Sequence, residues 1–163
     1  MSKKFFRAFV LTLCLSLVEP FFNTINVFAA TEPQIMGQSA ITMDIDTGEI
    51  IYSKNADVQR SPASTTKLLT GLLFAEAKNK DDSIPYTEDA LAVKETSLQN
   101  FLGNNVKVGT TMTADDVMKA VMVFSANDTA VMMADAVSGS VDKFTELMNE
   151  RAKELGAVNS HFV

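Results

Sequence analysis

Apolar and polar residues alternate along the stretch AITMDIDTGEIIYSK, residues 40–54. The alternation predicts two β-strands, because every second side chain of a strand faces the same side of a sheet. Asp46-Thr47-Gly48 separates the two runs and has the composition of a tight turn. We therefore predict a β-hairpin whose apolar positions are Ile41, Met43, Ile45, Ile50 and Tyr52.

A helical pattern follows in residues 64–77, which contain no proline. Apolar residues occupy most of the circumference of this predicted helix, and such a helix is usually central and buried. They are Leu68, Leu69, Leu72, Leu73 and Phe74.

Further helices are predicted in the second half of the chain. Thr113 caps one that ends near residues 124–128, the next begins around Asp128, and Ser140 caps the last, which ends at Gly156. Residues 89–108 are only weakly patterned. A hairpin followed by helices predicts an α+β fold. Because two strands alone make a marginal sheet and cannot cover a long apolar helix, we expect strands of this fold to be missing from the sequence.

The N-terminus has the composition of a secretory signal peptide. Basic residues in the first seven positions precede the apolar stretch AFVLTLCLSLV, and NVFAAT offers small residues for cleavage after Ala29 or Ala30. A membrane anchor is the alternative, but Glu19 and Pro20 interrupt the apolar run short of the roughly 20 residues that a spanning helix needs. We predict a signal peptide in residues 1–30, one incomplete domain in residues 31–163, and export.

Charge and composition exclude several classes of function. The predicted signal peptide carries three cations and one anion, so its removal changes the formal net charge from −6 to −8. Such a charge disfavours nucleic acid and anionic membrane surfaces as partners. Cys14 lies in the signal peptide and His161 is the only histidine, so we predict no disulfide and no metal site. A catalytic nucleophile is therefore expected to use a base other than histidine.

The segment SPASTTKLLT places Ser64 three positions before Lys67. On a helix these side chains share a face, and the Ser64 N–H in the first turn is free to bind an oxyanion. The helix start and burial both disfavour a charged amine, which favours Lys67 as acceptor of the serine proton. The alternative is a helix cap followed by a solvated lysine, and Ser140 with Lys143 has the same spacing. The helix after Ser64 is apolar and the one after Ser140 is charged, which favours Ser64 for catalysis.

A second candidate is the triplet Ser125-Ala126-Asn127, between two predicted helices. A hydroxyl and a carboxamide two positions apart in a loop can face one cleft and act as proton relay and substrate anchor. The alternative is a turn with a local cap, and Ser53-Lys54-Asn55 has the same spacing at the end of a predicted strand. Alone, the triplet is a weak signal.

Together and in this order, the two segments resemble a known pair of motifs. Ser-x-x-Lys and a second serine-containing triplet, followed by Lys-Thr-Gly, mark penicillin-binding proteins and class A β-lactamases. SPASTTKLLT and VFSANDTA are similar to the first two motifs of the low-molecular-mass penicillin-binding proteins, the D-alanyl-D-alanine carboxypeptidases of peptidase family S11. The flanking MDIDTGEIIYSKNAD and ELGAVNSHF resemble the same family, so the resemblance covers residues 39–163.

The resemblance implies a fold, a reaction and the roles of four residues. The fold is part of a penicillin-binding, β-lactamase-like transpeptidase domain, in which Ser64 is the acylated nucleophile, Lys67 its base, Ser125 a relay hydroxyl and Asn127 a substrate-binding amide. The implied reaction removes the terminal D-alanine from a peptidoglycan stem peptide ending in D-Ala-D-Ala, through an acyl-enzyme and without metal or cofactor. The implied inhibitors are β-lactams. Ala126 stands where class A β-lactamases have aspartate, which favours the carboxypeptidases.

The third motif of the family, Lys-Thr-Gly, does not occur in this sequence, which ends at Val163. In the family that motif lies on a strand beside the active site, and a C-terminal domain with a membrane-binding tail follows. We therefore expect the chain as written to be less active and less stable than a complete relative, with no membrane association once the signal peptide is removed. A non-catalytic remnant that binds cell-wall peptide or penicillin is the alternative.

Overall fold

The computed structural model describes residues 32–103 and 105–163. By its contacts the chain divides into two units, Met1–Gln59 and Arg60–Val163. The predicted signal peptide, residues 1–30, lies outside the described residues. None of the helices in the described part has the length and hydropathy of a transmembrane span.

The first unit contains the predicted β-hairpin. Strand β1, Ala40–Met43, pairs antiparallel with strand β2, Ile50–Lys54. Asp44 folds the turn, because its carboxylate accepts hydrogen bonds from the backbone N–H groups of the second and third residues after it. Ile45, predicted as a strand position, therefore lies in the turn. Ser53 lies in β2, as the predicted hairpin requires.

The second unit begins with the predicted apolar helix. A 3₁₀ turn, Ala63–Thr66, leads into helix α1, Lys67–Ala77. Ala63 enters the turn with φ of +47°, outside the α-helical region of the backbone. Ser64 therefore lies in a 3₁₀ turn, and the α-helix proper begins three residues later than predicted, at Lys67.

Helix α1 is buried along one face only. Gly71, Leu73 and Phe74 are buried, whereas Leu68 and Leu72 are 62% and 39% exposed. The helix is therefore apolar around most of its circumference, as predicted, but the side that carries Leu68 and Leu72 is not covered.

Further helices follow along the second unit. Thr113 and Ser140 cap two of them as predicted, since their hydroxyls accept hydrogen bonds from the N–H groups of Asp116 and Lys143. Two others span about one turn each within the weakly patterned stretch, and the sequence does not predict them. In chain order the helices are α2 (Glu88–Ala92), α3 (Leu98–Phe101), α4 (Ala114–Met122), α5 (Asn127–Ser138) and α6 (Val141–Glu154).

A small second sheet, also not predicted, lies in the same unit. Strand β3, Ser83–Pro85, pairs antiparallel with strand β4, Thr111–Thr113. Strands of three residues are too short to show an alternating pattern in the sequence. Helices with two small antiparallel sheets make the described part α+β, as predicted.

Helix α5 lies at the centre of the second unit and contacts α1, α2, α4 and α6. Met132 and Met133 of α5 are fully buried and belong to the same apolar cluster as Phe74 of α1. A second cluster joins Ala134 of α5 to Leu73 of α1. Both helices are thus fixed in one core, and they begin at Asn127 and Lys67, two of the candidate site residues.

Gly71 allows α1 and α4 to approach closely. A Cβ atom at this position would lie 3.2 Å from the Met122 sulfur and 3.3 Å from the Met118 sulfur. We expect Gly71→Val to lower the free energy of unfolding by about 1–3 kcal/mol through overpacking, measured by urea denaturation. Ala75→Val, at an exposed position of the same helix, should change it by less than about 0.5 kcal/mol. An equal decrease in the free energy of unfolding of both variants would show that the close approach of α1 and α4 at Gly71 does not limit the packing of these helices.

Candidate active site

The sequence-predicted site residues meet at one open cleft in the second unit. Ser64, Lys67 and Ser125 line a cavity of about 300 Å³. Asn127 joins them because its side-chain oxygen accepts a hydrogen bond from the Lys67 amine. Residues far apart in the sequence are therefore brought together by the packing of α1 against α4 and α5.

Ser64 and Ser125 form a direct hydroxyl pair. Ser125 Oγ donates a hydrogen bond to Ser64 Oγ over 2.9 Å. Ser64 is exposed in its 3₁₀ turn, so its oxygen is open to a molecule that enters the cleft. A nucleophilic hydroxyl needs this combination of access and a nearby group that can carry protons.

Lys67 is half-buried at the first residue of α1. Its Nζ atom donates to Asn127 Oδ1 over 2.6 Å. Burial lowers the pKa of the Lys67 amine from its ordinary value, because desolvation disfavours the ammonium form. Among the described residues no carboxylate forms an ion pair with Lys67 to oppose this effect.

The Ser64 and Lys67 side chains meet at the cleft, as their spacing predicts, but the Lys67 amine binds a different partner. Both side chains line the same cleft, but within the described part of the chain the hydrogen bond of the amine goes to Asn127. A neutral amine has one lone pair and two N–H groups. Donation to Asn127 therefore leaves the lone pair available to accept a proton.

The Asn127 amide is held in one orientation by the loop before α3. Its Nδ2 atom donates to the Glu95 carbonyl over 3.0 Å, and its backbone N–H donates to the Thr96 carbonyl over 2.8 Å. Because the NH₂ group faces Glu95, the amide oxygen faces Lys67.

The backbone around the cleft is strained. Ala63, Thr96 and Ser125 have positive φ angles of 47°, 45° and 62°. Ala63 precedes Ser64, Ser125 is itself a site residue, and the Thr96 carbonyl accepts a hydrogen bond from the Asn127 N–H. Such conformations cost non-glycine residues of the order of 1–3 kcal/mol each and tend to cluster at functional sites. In the described residues only one other non-glycine residue, Asn55 of the first unit, has a positive φ.

The alternative serine-lysine pair has a structural role. Ser140 is the N-cap of α6, and its hydroxyl accepts a hydrogen bond from the backbone N–H of Lys143 over 3.3 Å. Neither residue lines the cleft that contains Ser64. The same spacing thus produces a helix cap in α6 and a cleft pair at the start of α1.

The sequence pattern did not reveal the groups that hold the site in place. The Glu95 and Thr96 carbonyls lie in the weakly patterned stretch, and backbone acceptors leave no signature in residue type. For Asp128, which follows the predicted triplet, the sequence predicts only the start of a helix, yet the residue is fully buried. The only sequence feature that points to a role for Asp128 at the site is its position directly after the triplet Ser125-Ala126-Asn127.

The fold and the cleft together define a class of protein. Ser-x-x-Lys and a second serine triplet, meeting in one cleft of an α+β fold, are features of the penicillin-recognising serine enzymes. The family model described as D-alanyl-D-alanine carboxypeptidase matches residues 26–163, and the chain belongs to this family.

Individual relatives agree with the family match. The chain is 36% identical over 130 residues to the D-alanyl-D-alanine carboxypeptidase DacF of Bacillus subtilis, covering 77% of this chain and 32% of that protein. Penicillin-binding protein 6B of Escherichia coli has a similar structure, with a TM-score of 0.70, 32% identity, and coverage of 84% of this chain and 45% of that one. The chain thus spans about a third of the length of the curated relatives it matches.

A third relative was solved with ampicillin bound. Penicillin-binding protein D2 of Listeria monocytogenes, in its ampicillin-bound form, matches with a TM-score of 0.66 and 28% identity. The match covers 81% of this chain and 53% of that chain.

Proposed function

We propose that the protein is a serine-type D-alanyl-D-alanine carboxypeptidase that removes the terminal D-alanine from peptidoglycan stem peptides. The observation that carries the proposal is the convergence of Ser64, Lys67, Ser125 and Asn127 on one cleft. Family membership supports peptides ending in D-alanyl-D-alanine as the substrate class, since the relatives are carboxypeptidases named for that dipeptide.

In the first half of the proposed reaction, Ser64 Oγ attacks the carbonyl carbon of the penultimate D-alanine. The neutral Lys67 amine takes the serine proton while the new C–O bond forms. The Ser64 N–H, in the 3₁₀ turn before α1, donates to the oxyanion. Collapse breaks the C–N bond, and Ser125 passes the proton from Lys67 to the departing D-alanine amine.

In the second half, water releases the acyl group from Ser64. The Lys67 amine accepts a proton from the attacking water, the ester bond breaks, and Ser64 regains its proton. Asn127 has two roles in this scheme, because its amide binds the substrate backbone and its oxygen positions the Lys67 amine.

We further propose that β-lactams acylate Ser64 and that the protein acts outside the cytoplasmic membrane. A β-lactam amide presents a carbonyl to the same nucleophile, and one relative was crystallised with ampicillin bound. Peptidoglycan stem peptides lie outside that membrane, and the composition of residues 1–30 favours their role as an export signal.

A peptide assay tests the proposed activity. The protein expressed from its complete gene is incubated with diacetyl-L-Lys-D-Ala-D-Ala, and free D-alanine is measured. We expect release of one D-alanine per peptide, inhibition by ampicillin, and no release from the matched peptide ending in L-Ala-L-Ala. A folded protein that releases no D-alanine and is not labelled by a fluorescent penicillin would refute the proposed function.

A further inference from the structure

Asp128 is a completely buried carboxylate beside the candidate site, and the proposed reaction gives it no chemical task. It is 0% exposed. Its oxygens accept hydrogen bonds from the backbone N–H groups of Leu98, Gln99 and Thr129 at 2.8–3.0 Å. The hydroxyl of Tyr86, also buried, donates a further hydrogen bond. A buried charge with so many donors is an anchor, because it is costly to bury without them.

The bonds of Asp128 join α5 to the same loop that orients Asn127. The Asn127 backbone and side chain bind the carbonyls of Thr96 and Glu95, and Asp128 binds the N–H groups a few residues further on. Residues 95–99 are therefore attached to the start of α5 at both ends. Without the carboxylate, only the Asn127 end of this connection is left.

A displacement of residues 95–99 would change the position of the Lys67 amine, because the Asn127 side-chain amide contacts both. The Glu95 carbonyl holds the Asn127 NH₂ group, and this contact directs the amide oxygen towards Lys67. Thr96, whose carbonyl accepts the bond from the Asn127 backbone, has φ of +45°, so the loop conformation is strained and depends on its attachments.

We propose that Asp128 is a positioning residue: its carboxylate anchors residues 95–99 so that Asn127 presents its amide oxygen to the Lys67 amine. The catalytic consequence rests on the proposed function, whereas the placement of the Asn127 amide does not. Asp128 itself touches none of the reacting atoms.

Asp135 provides a matched control on the same helix. It is a partly buried carboxylate that accepts a hydrogen bond from the Thr87 hydroxyl over 2.6 Å. Its hydrogen bond does not involve residues 95–99. The variant Asp135→Asn therefore tests whether the loss of an aspartate charge on α5 affects the site only by lowering the overall stability of the protein.

The first experiment compares Asp128→Asn with Asp135→Asn in the protein expressed from its complete gene. Stopped-flow labelling with a fluorescent penicillin separates the acylation rate constant from the dissociation constant of the non-covalent complex. We expect Asp128→Asn to lower the rate constant on the order of 10²-fold with little change in the dissociation constant, since a displacement of about 1 Å at a reacting group costs that much. Asp135→Asn should leave both constants near those of the wild type, even if its melting temperature falls as far as that of Asp128→Asn.

The second experiment does not depend on acylation. NMR measures hydrogen exchange of the Asn127 side-chain amide, which should be faster in Asp128→Asn and unchanged in Asp135→Asn.

If Asp128→Asn does not fold, Tyr86→Phe removes a single donor and should shift both readouts in the same direction by a smaller factor. If the wild type is not acylated, the proposed function fails and the exchange rates alone decide the role of Asp128. Unchanged Asn127 exchange in the Asp128 variant, or equal acylation losses in both aspartate variants, would overturn the positioning role.

Discussion

Replacement of Ser64 by alanine is expected to abolish covalent labelling by a fluorescent penicillin and release of D-alanine. The variant keeps the 3₁₀ turn, because Ser64 is exposed and its hydroxyl, among the described residues, only accepts a bond from Ser125. Loss of a nucleophilic serine lowers turnover on the order of 10⁶-fold in serine proteases. The other hydroxyls that line the cleft in the described part of the chain belong to Thr65, which donates to the Pro62 carbonyl, and to Ser125, which lies on a different segment.

The matched control is Ser140→Ala, which removes a serine with the same spacing to a lysine. This variant loses the N-cap bond of α6, so its stability should fall by about 1 kcal/mol. Its labelling with penicillin should equal that of the wild type. Normal labelling of the Ser64 variant, or loss of labelling in the Ser140 variant, would show that the nucleophile has been misassigned.

Replacement of Lys67 by glutamine is expected to lower the acylation rate constant by about 10²–10⁴-fold, the usual contribution of a positioned general base. Glutamine is shorter than lysine but can still donate to an amide oxygen, so the fold and the placement of Asn127 should be largely retained. Labelling kinetics measure the effect, and Lys143→Gln is the control because Lys143 only supplies a backbone N–H to the cap of α6. Wild-type acylation by Lys67→Gln would exclude Lys67 as the base.

The same lysine should set the pH dependence of acylation. Burial lowers the pKa of the Lys67 amine from its ordinary value, and a general base acts in its deprotonated form. The rate constant should therefore rise with pH, with a midpoint below the ordinary pKa of a lysine amine, and level off above that midpoint. This rise should be absent from Lys67→Gln.

The elements with strong local signals were predictable from the sequence. The hairpin follows from alternation around a turn, and the caps at Thr113 and Ser140 follow from residue types that bind free N–H groups. The two motif serines with Lys67 and Asn127 were also predictable as candidates, and the structure brings them to one cleft.

Other features depend on contacts that no local pattern encodes. The β3–β4 pair joins two segments of three residues, each too short to show a period. Exposure of Leu68 and Leu72 depends on which surfaces pack against α1, and residue type does not determine this. The partner of the Lys67 amine depends on side-chain geometry across α1 and α5, so helical spacing predicted proximity to Ser64 and missed the bond to Asn127. The buried position of Asp128 likewise requires the fold.

The site of acylation tests the central claim most directly. The protein expressed from its complete gene is incubated with ampicillin, digested, and analysed by mass spectrometry. We predict one ampicilloyl group per chain, on the peptide that contains Ser64, and none on the peptides that contain Ser125 or Ser140. An adduct on either of those peptides, or a folded protein without any adduct, would contradict the assignment of Ser64 as the nucleophile.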